Sequence, residues 1–216
     1  MRISHKYKFI FFCNPKTGSE SVRKILNPYS DIIGTGFRIR TRENPFYSHI
    51  TPKETLIIFN EAGWDFDSYQ KFVFVRNPWV RLVSLYEMIR QQETYSDNFP
   101  GFTEWLYTIK PDGTGGGGED WQRWRKYGSY SLENFCKGES GEIMVDKVIR
   151  LEDIDHDLLP YLKKLNLPNI GNLFIPHINK RNNTKHYTQY YNKETELYVT
   201  KLYHYDIREF GYKFGD

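Results

Sequence analysis

Lys16, Thr17, Gly18, Ser19 and Ser21 crowd into a stretch of six positions just behind Pro15. An ammonium group and several hydroxyls on a glycine-bearing turn are the groups that hold a phosphate, or an anion built like one. The run before them, Phe9-Ile10-Phe11-Phe12-Cys13, is short enough for a buried strand and too short for most helices. The run after them, Ser19 to Leu26, reads as a helix closed off by Asn27-Pro28. The first amides of such a helix have no partners within it, and its dipole adds partial positive charge. Strand, turn and helix N-terminus together predict an anion site to which Lys16, Thr17, Gly18, Ser19, Glu20 and Ser21 contribute. The lysine precedes the only glycine of the stretch, so this is not a G-x-x-x-x-G-K-[ST] loop.

A second joint of the same kind follows. Lys71-Phe72-Val73-Phe74-Val75 predicts another buried strand, and Arg76-Asn77-Pro78 leads into a helix whose stripe is Leu82, Val83, Leu85, Tyr86 and Ile89. Arg81 and Ser84, three apart, share a face of that helix, and Arg76 precedes it. Two parallel strands ending in two such turns place both on the C-terminal edge of one sheet, where open α/β folds bind nucleotides. Between the joints, Thr51-Pro52-Lys53-Glu54 carries a capping-box signature, which predicts a helix to about Glu61 with Gly63 just past it. His49 stands immediately before that helix.

The two joints, in this order, resemble the cofactor segments of sulfotransferases that use 3′-phosphoadenosine 5′-phosphosulfate (PAPS). P-K-T-G-S is similar to their 5′-phosphosulfate loop. FVFVRNPWVRLVSLY looks like the 3′-phosphate segment of the carbohydrate sulfotransferases, in which an Arg after the strand and a Ser eight residues on hold the phosphate. The resemblance assigns those roles to Arg76 and Ser84. It also implies that His49, in the stretch where the glycan 2-O-sulfotransferases carry their base, takes the acceptor proton; an imidazole ordinarily titrates near ~6.5, suited to that work. Some relatives use a glutamate, which keeps Glu54 and Glu43 as alternatives.

Elsewhere the signals are broader. Arg38, Arg40 and Arg42 alternate, and an extended chain would put them on one face, either a solvated edge or a basic lip for an anionic acceptor. The glycine-rich stretch at 113–118 predicts a flexible loop, followed by Trp121, Arg123, Trp124 and Arg125. That aromatic and basic cluster suits either an acceptor-binding lid or a surface helix with tryptophans in the core. Ile143 to Arg150 predicts a third strand leading into a helix from about Ile154 to Leu165, with Arg150 expected to pair with Glu152 rather than reach cofactor. Pro176 to Asn183 is similar to a family segment close to the nucleotide, which brings in Lys180, or its neighbour Arg181, as a further cofactor residue, the alternative being a solvated loop. In the tail, Leu197, Val199, Leu202, Tyr203 and Tyr205 are the expected core.

The 216 residues suit one domain with a proper core, and the mild net charge of +3 suits an anionic nucleotide or acidic glycan. No run of Lys or Arg resembles a nucleic-acid arm. Two cysteines, Cys13 and Cys136, give neither a disulfide framework nor zinc spacing. No apolar stretch of membrane-spanning length occurs, and no signal peptide is recognisable, so the expected location is cytoplasmic.

The expected fold is α/β, a three-layer P-loop-like arrangement with a central, mostly parallel sheet flanked by helices. The expected activity is transfer of a sulfuryl group from PAPS to a hydroxyl, most simply of a carbohydrate, leaving adenosine 3′,5′-bisphosphate (PAP). Lys16 would stabilise the leaving group, His49 would act as base, Arg40, Trp121, Arg123 and Arg125 would meet the acceptor, and no metal is required. The rival readings are a nucleotide-dependent kinase of P-loop ancestry and a non-catalytic PAP- or glycan-binding relative.

Overall fold

The computed structural model describes residues 1–91, 99–112, 128–170 and 185–216. Trp121, Arg123, Arg125, Lys180, Arg181 and the glycine-rich stretch at 113–118 lie outside the described residues. In chain order the elements are β1 (Arg2–Ser4), β2 (Phe9–Phe12), α1 (Ser19–Leu26), β3 (Ile32–Ile33), α2 (Pro52–Glu61) and β4 (Gln70–Val75). There follow α3 (Pro78–Arg90), α4 (Phe102–Leu106), α5 (Leu132–Cys136), β5 (Lys147–Arg150), α6 (Ile154–Lys164), α7 (Lys193–Leu202) and α8 (His204–Glu209). The chain forms two compact units, Met1–Val75 with Cys136–Lys180, and Arg76–Phe135 with Arg181–Asp216.

The first unit is built on a five-stranded sheet of order β3-β1-β2-β4-β5. The sheet is mixed. Its core pairings, β2 with β4 and β4 with β5, are parallel, while β1 runs antiparallel to β2 and β3. Both faces are buried, which is why β2 and β4 read as unbroken apolar runs rather than alternating ones. On one face Phe9, Phe11, Cys13, Phe72, Phe74 and Ile149 pack with Val22 and Leu26 of α1 and Leu158 and Leu162 of α6. Phe11 stacks on its register partner Phe72 with ring centroids 4.9 Å apart. On the other face Ile10, Phe12, Val73 and Val75 are equally buried. Each large side chain so buried stabilises the fold by roughly 1.5–3 kcal/mol before entropy is counted. Parallel pairing of β2 and β4 brings the ends of both strands, Phe12 and Val75, to one edge of the sheet.

The predicted elements hold closely here, with two differences. The third strand is shorter than Ile143–Arg150, because only Lys147–Arg150 finds a partner in β4. Residues 37–39 form a 3-10 turn, so Arg38, Arg40 and Arg42 do not alternate along an extended chain. Arg150 places its Nε 3.4 Å from a carboxylate oxygen of Asp153.

The second unit has its own aromatic core. Tyr86 of α3 meets Phe99, Phe102 and Trp105 with centroids 5.5, 5.2 and 5.4 Å away, and Trp79 meets Phe214 at 5.6 Å. The stripe predicted for α3 is buried throughout. In the tail Val199 and Tyr203 are buried, but Leu197 is 47% exposed. The helical run is interrupted at Tyr203, and the phase that buries Val199 turns Leu197 outward. Among the described residues no helix is long and apolar enough to cross a membrane.

Candidate active site

In the first unit β2 ends at Phe12, and the chain then turns through residues with unusual backbone angles. Lys16 has φ 63° and Gly18 has φ 77°. The left-handed region costs a non-glycine residue roughly 1–2 kcal/mol, so a lysine held there marks a turn whose shape is imposed by its surroundings. The Thr17 hydroxyl helps impose it, donating to the Asn14 carbonyl oxygen at 2.7 Å. That proton is committed inside the turn, so the Thr17 side chain closes the loop rather than reaching outward as a donor. Ser19 and Ser21 are buried at the start of α1. The Glu20 carboxylate is engaged by Arg23 at 2.9 Å on the exposed face. What Glu20 can offer an anion is therefore its backbone amide.

The N-terminus of α1 differs from those of α2 and α3. Gly18 supplies no side-chain cap to α1. Thr51 and Glu54 close a full capping box on α2, as predicted, and the Asn77 side chain accepts from Trp79 and Val80 at the start of α3. The two strand-to-helix joints are therefore not equivalent. The first presents helix amides and a lysine; the second, its amides already taken by Asn77, can hold an anion only through side chains.

His49 belongs to the first joint. Its Nδ1 lies 2.7 Å from the carbonyl oxygen of Cys13, the residue that follows β2. A carbonyl can only accept, so Nδ1 carries the proton and the neutral ring keeps its lone pair on Nε2. The bond therefore orients the ring and selects the tautomer that can act as a base. The alternative bases are placed differently. Glu54 accepts from the Tyr47 hydroxyl at 2.8 Å, from the Thr51 amide at 2.9 Å and from the Thr51 hydroxyl at 2.8 Å. Its carboxylate is a structural cap. Glu43 is fully exposed, and hydrogen bonds from its own amide and the Thr41 hydroxyl hold its carboxyl below the usual range, which weakens it as a base.

In the second unit Arg76 and Ser84 are both half-buried, Ser84 well inside α3. Arg81, which shares their segment, serves another purpose. It is 1% exposed, and its guanidinium donates to the Gly128 carbonyl oxygen at 3.0 Å. Burial pushes it below its ordinary value, opposed by the nearby Tyr203 and Asp206. Asp206 in turn accepts the Leu132 amide on both oxygens at 3.0 and 2.9 Å. Sequence reasoning did not find this buried charge pair, because Arg81 sits among residues that resemble a phosphate site. Among the described residues no cluster of His, Cys, Asp and Glu could hold a metal ion.

Arg40 is exposed, with its guanidinium carbon 4.0 Å from the Phe37 ring centroid and 5.8 Å from that of Tyr47.

The first unit thus holds an α/β sheet whose strand-end turn carries a lysine, a helix N-terminus without a side-chain cap and a histidine fixed in one tautomer, groups whose chemistry suits an anion beside a base. The Sulfotransferase family profile matches residues 1–213, and the chain belongs to that family of enzymes. Among solved structures, mouse sulfotransferase SULT7A1 complexed with PAP is similar, with a TM-score of 0.52 and 13% sequence identity. The match covers 95% of this chain and 86% of that one and bears on the fold. Comparison with curated proteins gives no match.

Proposed function

We propose that this chain transfers the sulfuryl group of PAPS to a hydroxyl of a carbohydrate. The observation that carries the reading is the His49–Cys13 hydrogen bond, which ties a basic nitrogen to the strand that delivers the Lys16 turn. In this reading His49 Nε2 takes the acceptor proton while the acceptor oxygen attacks sulfur. The new oxygen–sulfur bond forms as the bond to the bridging phosphate oxygen breaks, and PAP departs. Lys16 and the first amides of α1 stabilise the charge that collects on the 5′-phosphate and bridging oxygen. Arg76 and Ser84 hold the 3′-phosphate through side chains, in keeping with the prior capping of α3 by Asn77. They select PAPS over ATP, since a ligand without that phosphate leaves their donors unpaired. No divalent cation enters the scheme. The carbohydrate acceptor rests on the resemblance of the Arg76–Ser84 segment to carbohydrate sulfotransferases.

Calorimetric titration with PAP and with ATP, each with and without Mg²⁺, tests the reading in wild type and in Lys16→Ala. Metal-independent PAP binding, weakened in Lys16→Ala, is the expected result. Mg²⁺-dependent ATP binding without PAP binding would overturn it in favour of a kinase. PAP binding with no sulfate transfer to any glycan would identify a non-catalytic relative.

A further inference from the structure

After α8 the chain of the second unit returns to the start of α3, and the contact is made through Asn77, the residue that follows Arg76. The Asn77 side-chain oxygen accepts the Trp79 and Val80 amides at 3.1 and 3.4 Å, and its Nδ2 donates to the Lys213 carbonyl oxygen at 3.2 Å. A further hydrogen bond joins the Asn77 side chain to the Tyr187 hydroxyl. That hydroxyl also accepts the Gly215 amide at 2.6 Å and donates to the Asp216 carbonyl oxygen at 3.3 Å. Two segments distant in the chain therefore meet on one carboxamide, whose donors and acceptors are all in use. Asn77 and Tyr187 are both buried, which shields these bonds from water.

Aromatic packing closes over the same place. The Phe214 ring meets Trp79, Tyr187 and Tyr191 edge-on, each with centroids 5.6 Å apart. The Tyr191 hydroxyl donates to the Trp79 carbonyl oxygen at 2.9 Å. The first turn of α3 is thus gripped at Asn77 by hydrogen bonds and at Trp79 by rings. Capping the helix requires only the Asn77 oxygen. The Nδ2 bonds and the Phe214 box do more, because they fix the path by which the chain enters the helix. Arg76 lies one residue before this grip, and Ser84 lies about two turns beyond it. A charged hydrogen bond to a phosphate is directional, and a displacement of about 1 Å can cost on the order of 100-fold.

We infer that residues 213–216, tied by Tyr187 and seated by Phe214, position the Arg76 joint for the 3′-phosphate, so that Tyr187 and Phe214 are positioning residues for cofactor selection. The inference rests on the assignment of the 3′-phosphate to Arg76 and Ser84, and in it neither Tyr187 nor Phe214 touches the nucleotide. Tyr187→Phe removes one hydroxyl and keeps the ring, so it loosens the segment without opening a cavity. Phe214→Ala empties the aromatic box, and Phe214→Leu refills most of it. Wild type and the three variants are titrated calorimetrically with PAP and with adenosine 5′-phosphosulfate, which lacks the 3′-phosphate. Circular dichroism at the titration temperature checks that each is folded.

Tyr187→Phe should weaken PAP binding by about 5-fold and Phe214→Ala by about 10-fold, with Phe214→Leu close to wild type. Affinity for adenosine 5′-phosphosulfate should stay the same throughout. A merely structural role would lower the melting temperature without singling out one phosphate. If Phe214→Ala does not fold, Tyr187→Phe decides alone. Unchanged PAP affinity in Tyr187→Phe, or an equal loss for both nucleotides, overturns the inference. A wild type that fails to bind PAP, or binds both nucleotides equally, would instead remove the 3′-phosphate assignment beneath it.

Discussion

Leu151, the residue after β5, lies against Gly18, so that a β-carbon on the glycine would come within 3.1 Å of one Leu151 methyl carbon and closer still to the other. The strand that closes the parallel sheet thus buttresses the turn that carries Lys16. Gly18→Ala should abolish PAP binding and lower the melting temperature. Adding Leu151→Ala should restore only part of both, because the clash is relieved while the positive φ still costs roughly 1 kcal/mol. Full rescue by the double variant, in calorimetry and thermal unfolding, would show that the left-handed backbone at Gly18 has no bearing on the site.

His49 is expected to act through its lone pair rather than its packing. His49→Gln keeps a donor for the Cys13 carbonyl yet has no basic nitrogen, and His49→Ala keeps neither. Both should lower kcat by ~10²–10⁴-fold with PAP affinity intact. A Gln variant with near wild-type turnover would assign His49 a positioning role. Rate measurements across pH, with PAP affinity followed in parallel, separate the two outcomes.

Arg76 and Ser84 should act on one end of the nucleotide only. Arg76→Ala should weaken PAP binding ~10–100-fold, the loss of a charged hydrogen bond, and Ser84→Ala by several fold, as for a neutral one. Affinity for adenosine 5′-phosphosulfate, which lacks the 3′-phosphate, should not change in either variant. A parallel loss for both nucleotides would place these residues elsewhere in the site.

The buried Asp206 predicts a pH dependence of stability. Burial pushes its carboxyl up from 3.8 to about 6, with the Leu132 amide and Arg81 pulling the other way. Between those values the folded state binds more protons than the unfolded one, so this group's contribution to stability falls as pH rises from about 4 to about 6 and is level above. Asp206→Asn cannot ionise. It should match wild type near pH 4 and exceed it by ~2–3 kcal/mol at pH 7, read from urea unfolding at the two pH values. A variant less stable than wild type at pH 7 would mean that attraction to Arg81 outweighs desolvation.

Much of this was legible because local rules agreed with the fold. The apolar runs of β2 and β4, Pro78 at the head of α3 and the Thr51–Glu54 box are each read from a few neighbouring residues, and the structure forms all of them. What escaped depends on partners distant in the chain. Arg2–Ser4 and Ile32–Ile33 are too short to carry a pattern and are strands only because of the ladder that pairs them. The same holds for the site. The Lys16 turn, Arg76 and His49 follow from spacing and resemblance, whereas three further findings need coordinates. These are the Cys13 carbonyl that orients His49, the Asn77 cap that takes the α3 amides, and the stacking of Arg40 on Phe37.

Among the described residues the sheet's two outermost strands are short. Ile32–Ile33 ends one side, and Lys147–Arg150, with a cation at each end, closes the other. An exposed ladder invites a strand from another molecule in proportion to its length and apolar character, and charged residues discourage such a visitor. This sheet therefore offers a poor template for fibre growth or strand exchange, so copies of the chain that associate would do so through other surfaces. The buried centre of the sheet can then be as phenylalanine-rich as it is without becoming a hazard in the folded protein.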